Sequence, residues 1–328
     1  MLKEDVGDEN DQNRHLHRSC RQNFSSLTSV IGIDVAINDR QFKVCYKENI
    51  KKALFDKGRW NESDVDLTGG YYDAGDNIKL GYPLAFSLTS LSWGLLHYWD
   101  SYIAMGQIDE MLDLIKWGVD WLLKAVVIRK GFSLAEIIDQ SESLMQRATL
   151  KTNNSKEKVQ IVYVQVDDKK SHSKWNKPEE IKQGWPRPSY FINRQKPGTD
   201  LCSEYVAALS AAHLCFKRAK QQELFTEEGA GEFVAKLKSV SLKLWEFSEM
   251  AKVKNQGALE GVKYSDSVPE AGEMYPSSHY QDERCWALLW LYRATGDKKY
   301  YDSARQILIF RKFNFMQQSK HMFRNGSF

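Results

Sequence analysis

The sequence predicts an all-α protein, an array of paired amphipathic helices. Three observations carry that expectation: apolar residues recur at helical intervals over several long segments, those segments follow one another closely, and convincing strand patterns are few. The first helix is expected over 82–103, where Leu84, Leu88, Leu91, Leu95 and Trp99 share a stripe and Pro83 suits the first turn. A second is expected over 107–125, with Ile108, Met111, Ile115, Val119 and Leu122 on one face, so the two should form an antiparallel hairpin. Further helical patterns cover 200–219, 231–252, 279–295 and 298–317, and Gly296-Asp297 signals a C-cap between the last two. Only 161–166 (IVYVQV) has the β-branched character of a strand.

Other stretches break this rhythm. Residues 1–30 are polar and aperiodic and read as a disordered tail. Residues 126–160 read as an insertion with a Lys-rich end, and 167–200, rich in Pro, Lys, Trp and Asp, as a long loop of the kind that carries function. Among 328 residues the net charge is +3, spread along the chain, which excludes the concentrated basic face that binds nucleic acid. No apolar run approaches the ~20 residues of a bilayer span. Membrane and nucleic-acid partners are therefore not expected. The five cysteines lie far apart without a C-x-x-C pair, which argues against a zinc site or a disulfide scaffold. The charged start lacks the pattern of a secretory leader.

The most informative string is DLTGGYYDAGDNIKLGYPLAF, residues 66–86. Gly69, Gly70 and Gly75 let the chain bend sharply before the helix near Pro83, and Asp73 and Asp76 sit on that bend. Two carboxylates three positions apart can hold one water between them, one as general base and the other orienting it. The same pair also suits backbone capping at a helix entrance, and spacing alone does not choose between these readings.

GGYYDAGDNIKLGYPLAF, followed by SLTSLSW, resembles the amino-terminal signature of glycoside hydrolase family 9, the inverting endo-β-1,4-glucanases. Segments 115–125, 162–180, 187–212 and 264–297 are similar to further family segments in the same order. The resemblance implies an (α/α)6 barrel of six helical hairpins, incomplete here, with residues 31–328 forming a partial catalytic domain. It implies a β-1,4-glucan as partner and an extracellular setting. Asp73 and Asp76 would hold the attacking water, with Asp76 the base, its carboxylate favoured by the nearby helix N-terminus and glycine N–H groups. His172 and Trp175 stand where a D-H-x-x-W loop contacts sugar, with Ser171 in place of the Asp, and Tyr72 joins them as a substrate-contacting residue.

The reaction requires no cofactor. In calcium-binding members Ser278, the carbonyl of His279, Asp282 and Glu283 would correspond to ligands; here His279 replaces a usual glycine, and helix capping accounts equally for the pattern. An inverting mechanism needs a second carboxyl, roughly 6.5–9.5 Å from the first, to protonate the leaving oxygen. The family's acid is a Glu near the carboxyl terminus. Nothing here maps onto it, and Glu270, Glu273 and Glu283 lie in a stretch that does not supply it. Weak hydrolysis is therefore expected of this chain, with a noncatalytic glucan-binding or scaffold protein on the same barrel as the alternative.

Overall fold

The computed structural model describes residues 65–130, 157–175, 187–251, 253–255 and 258–309. The tail at 1–30 and the centre of the insertion lie outside them. Helices dominate the described chain. The first hairpin is α1 (Gly81–His97), a short α2 (Trp99–Ala104) and α3 (Ile108–Ala125). The single helix expected over 82–103 is broken at Tyr98, whose φ of −106° and ψ of 30° leave the helical range. The break lets Trp99 turn into the core and donate its indole N–H to Gln222 at 2.7 Å. Beyond Gly106, at φ +62°, the chain reverses into α3, and Leu88 of α1 packs onto Gly118. The stripe expected on α3 is buried in full.

The next hairpin is α4 (Thr199–Gln221) and α5 (Ala230–Met250), and a third is α8 (Gln281–Thr295) followed by α9, which runs from 298 to 309. Gly296 between them takes φ +75° with its N–H on the Tyr292 carbonyl, the C-cap expected from Gly-Asp. Two single turns, α6 (Tyr264–Ser267) and α7 (Pro269–Gly272), precede α8. Helix α4 packs against α1, α3, α5 and α8, which explains its burial on nearly every side. Its Ser203, Ala207, Ala208, Ser210, Ala211 and Ala212 are small enough for such close neighbours.

The three hairpins are joined by more strand than the sequence announced. Strands β1 (Lys79–Leu80), β2 (Val126–Lys130) and β4 (Ser189–Ile192) all pair antiparallel with β3 (Glu157–Val166). The two ends of the stretch read as an insertion are thus paired strands, and the long loop at 167–200 contains β4 and a 3-10 turn at Lys169–Ser173. Beyond α5, β5 (Val253–Asn255) and β6 (Ala258–Glu260) pair with each other.

Side chains at the starts of α1, α4 and α8 meet, so these helices run parallel with their N-termini at one end. Tyr82 of α1 donates to Glu283 of α8 at 2.6 Å, and its ring lies 5.1 Å from that of Tyr264. The Tyr264 backbone N–H in turn donates to Asp200 of α4 at 2.8 Å. Asp200, Glu204 and the half-buried Glu283 thereby form an acidic group at this end of the helices. Burial, reinforced by the neighbouring carboxyls, pushes Glu204 up to about 8 and Glu283 up to about 7; burial also pushes Asp200 up to about 6.

Two predictions follow from the packing. Each raised carboxyl keeps its proton in the folded chain at pH values where the unfolded chain has lost it. The stabilisation is complete below about pH 4 and is lost as pH rises through the folded values. Urea unfolding should therefore give a lower midpoint at pH 8.5 than at pH 5.5, and Glu204→Gln should flatten that dependence; a midpoint independent of pH would contradict it. At the hairpin, a Cβ on Gly118 would lie 2.5 Å from Leu88. Gly118→Ala should cost roughly 1–3 kcal/mol, with part recovered in a Leu88→Ala background by the same unfolding measurement.

Candidate active site

The bend that carries the two aspartates is fastened to α3 residue by residue. Asp66 accepts from the Thr68 N–H and hydroxyl at 2.9 and 2.6 Å, opening the turn. Lys124 binds the Asp66 carboxylate at 2.8 Å and the Thr68 carbonyl at 3.0 Å. Against the desolvation of its carboxyl, Lys124 and Thr68 hold Asp66 down at about 2. The indoles of Trp121 and Trp117 donate to the carbonyls of Leu67 and Gly70 at 3.1 and 2.7 Å, and Tyr71 donates to Leu114 O at 2.9 Å.

Lys79, at the far end of the bend, reaches back to Leu67 O and Gly69 O at 2.9 and 2.7 Å. Burial, with the nearby cations Arg187 and Lys124, pulls Lys79 down to about 7. Gly69 and Gly70 take φ of +88° and +71°, and a Cβ on Gly70 would lie 2.6 Å from Trp121. Both conformation and space demand glycine there.

Asp73 and Asp76 stand on this support differently. The Asp73 N–H donates to Ile78 O at 2.9 Å, closing the loop between them. Asp76 is only 4% exposed; one oxygen accepts from the Ile78 N–H at 3.1 Å and the other meets His172 Nδ1 at 2.6 Å. Asp73 is half-buried and accepts from the Tyr275 hydroxyl at 2.9 Å. Burial and the adjacent Asp76 charge raise the Asp73 carboxyl above its ordinary value, opposed by the Tyr275 hydrogen bond and by His172.

His172 sits on the 3-10 turn after β3, 96 residues from Asp76, and the contact between them joins the bend to the loop. Trp175 donates its indole N–H to His172 O at 3.0 Å and lies over Gly75, where a Cβ would meet the ring at 2.6 Å. That ring is 68% exposed, an open apolar face beside the two aspartates. The structure thus brings Asp73, Asp76, His172 and Trp175 together. The Tyr72 ring lies beside Lys79 Nζ at 5.5 Å and the Arg187 guanidinium at 5.6 Å.

Ser278, His279, Asp282 and Glu283 do not form a cage that fits calcium. Glu283 is turned to Tyr82, and the His279 carbonyl accepts from the Ser277 hydroxyl. The His279 ring accepts from Gln281 N–H at 3.0 Å and faces Asp282 only at 3.9 Å. Among the described residues no group of three or more His, Cys, Asp or Glu is gathered to hold a metal.

Tyr275 is the site residue the sequence did not reveal. It lies 202 positions from Asp73, and no local pattern distinguishes it from other aromatic residues before α8.

The match to the family model described as glycosyl hydrolase family 9 runs over residues 33–325. The chain belongs to glycosyl hydrolase family 9. It is 35% identical over 247 residues to Endoglucanase 15 of Arabidopsis thaliana, covering 75% of this chain and 40% of that protein. It is also 35% identical over 243 residues to Endoglucanase 14 of Oryza sativa subsp. japonica, covering 74% and 37% respectively. The chain therefore spans about two fifths of the length of these curated relatives. Among solved structures, it is similar to the endoglucanase of the termite Nasutitermes takasagoensis. The TM-score is 0.57 at 27% identity over 82% of this chain and 55% of that one. It is likewise similar to the cellulase Cel9M of C. cellulolyticum, solved with cellobiose, with a TM-score of 0.53 at 26% identity over 80% and 54%. This family 9 chain is mostly helical, in keeping with an (α/α)6 barrel-type fold whose described part comprises three hairpins.

The Tyr275 contact is testable without an assay. The hydroxyl favours the ionised Asp73 carboxyl, so Tyr275→Phe should raise the Asp73 midpoint in a carbon-13 NMR titration. An unchanged midpoint would show that the contact does not form in solution.

Proposed function

We propose that the chain acts on internal β-1,4-glucosidic bonds of cellulose or a related β-glucan by direct, inverting attack of water. The observation that carries this reading is the placement of Asp73 and Asp76 on one pinned bend, with His172 and the open face of Trp175 beside them. The water sits between the carboxylates. Asp76 accepts its proton while Asp73, braced by Tyr275, orients it. Trp175 stacks on the apolar face of a glucose ring, and the second nitrogen of His172 hydrogen-bonds a hydroxyl. No cofactor takes part.

The Asp73–Asp76 pair is one half of a two-carboxyl mechanism. No residue of these 328 is assigned the part of the acid, so hydrolysis by this chain alone is proposed to be weak; proton donation is typically worth about 10²–10⁴-fold. The exposed Trp175 face favours a second reading, a noncatalytic glucan-binding protein.

Cellotetraose binding and reducing-end release from carboxymethylcellulose test both. The 328-residue chain should bind the tetrasaccharide, Trp175→Ala should weaken binding about tenfold, and any slow release should fall to background in Asp73→Asn and Asp76→Asn. Vigorous release by the unmodified chain would overturn the assignment of impaired activity. Release undiminished in both Asn variants would overturn the roles given to the aspartates.

A further inference from the structure

We infer that the buried pair Asp167–Arg187 is a positioning device that sets His172 against Asp76. The inference rests on the site proposed above and adds residues that touch neither the water nor the sugar. Asp167 follows β3 directly and takes φ +78°, while Asn77 follows Asp76 directly and takes φ +62°. Both are non-glycine residues in the left-handed region, which Asn and Asp tolerate better than most; such conformations persist where the surroundings over-determine them.

One guanidinium connects the two. Arg187 Nε donates to Asp167 Oδ2 at 3.0 Å, and Arg187 Nη2 donates to the Asn77 carbonyl at 2.6 Å. The side chains are 12% and 5% exposed, so the pair lies out of reach of most of the solvent screening that weakens surface ion pairs.

The other carboxylate oxygen of Asp167 starts the loop that carries the site. It accepts from the Asp168 N–H at 2.9 Å and the buried Ser171 hydroxyl at 2.6 Å. Asp167 is held from behind, its N–H on Pro188 O at 2.7 Å and its carbonyl on the buried Gln165 side chain at 2.7 Å.

Ser171 is followed by His172, whose Nδ1 meets Asp76 at 2.6 Å. The contacts therefore close a ring: Asp76, Asn77, Arg187, Asp167, Ser171, His172 and back to Asp76. The imidazole is held to the bend along two paths, its own hydrogen bond and the guanidinium. An ionised carboxylate only accepts, so Nδ1 must donate to Asp76, and in the neutral imidazole Nε2 is then the acceptor.

The tautomer of His172 is the readout, because a merely structural role would not move it. Long-range proton–nitrogen correlation at pH 8.5, with His172 assigned by loss of its signals in His172→Gln, should show the proton on Nδ1 in the unmodified chain. In Asp167→Gly and Arg187→Met the balance should move to Nε2–H as the principal form. Glycine takes the left-handed backbone at 167 without strain, so Asp167→Gly decides the matter if Arg187→Met does not fold. Lys169→Ala removes only an exposed ion pair with Glu273, at 3.8 Å on the same loop, and should leave the tautomer alone.

A folded Asp167→Gly chain whose His172 keeps its proton on Nδ1 would overturn the inference, as would an equal change in Lys169→Ala. Glucan hydrolysis and binding report separately. If no chain acts on or binds cellotetraose while the tautomer responds as expected, the proposed function falls and the positioning pair stands.

Discussion

Everything at this site depends on the fastening of a glycine-bent segment to the face of one helix. Residues 66–79 have little regular structure of their own, and a free segment of that kind would spend most of its time in other conformations. What holds it is a set of donors from α3, Trp117, Trp121 and Lys124, aimed at backbone carbonyls, together with Lys79 closing the bend on itself. The carbonyls of Leu67 and Gly69 are bonded in buried positions, where leaving even one unpaired would cost about 1–3 kcal/mol. The fastening therefore satisfies the backbone and fixes the direction of Asp73 and Asp76 at once. Rigid support of that sort is what a pair of carboxylates needs if both are to reach one water.

The gathering of three parallel helix N-termini gives this end of the molecule a second character. Helix dipoles favour negative charge there, while burial opposes it. In the group of Asp200, Glu204 and Glu283 burial wins, and all three carboxyls are raised. Asp73, nearer the surface, is raised by burial and by its neighbour yet braced by Tyr275.

The long helices were legible because an apolar stripe at a period of 3.6 is a strong local signal, and α3 follows it closely. The break at Tyr98 was not, since Trp99 continues the stripe of α1 while turning to a partner, Gln222, that is distant in sequence. Strands β2 and β4 were hidden for a related reason: five and four residues are too few for a period to declare itself, and their partner β3 supplies the order. At the site, Asp73, Asp76, His172 and Trp175 stand in recognisable strings, whereas Tyr275 and the acidic group at Glu204 take their meaning only from residues brought near by folding. Among the residues suggested for calcium, the Glu283 side chain accepts from Tyr82 and the His279 carbonyl from Ser277.

The central claim is that the pinned bend and the His172 loop together hold a water for attack on a glucan lying along Trp175. A crystal structure of the 328-residue chain grown with cellotetraose tests it most directly. The account predicts a glucose ring stacked on Trp175 and one ordered water within hydrogen-bond reach of both Asp73 and Asp76. A tetrasaccharide bound elsewhere, or aspartates that share no water beneath a sugar on Trp175, would contradict it.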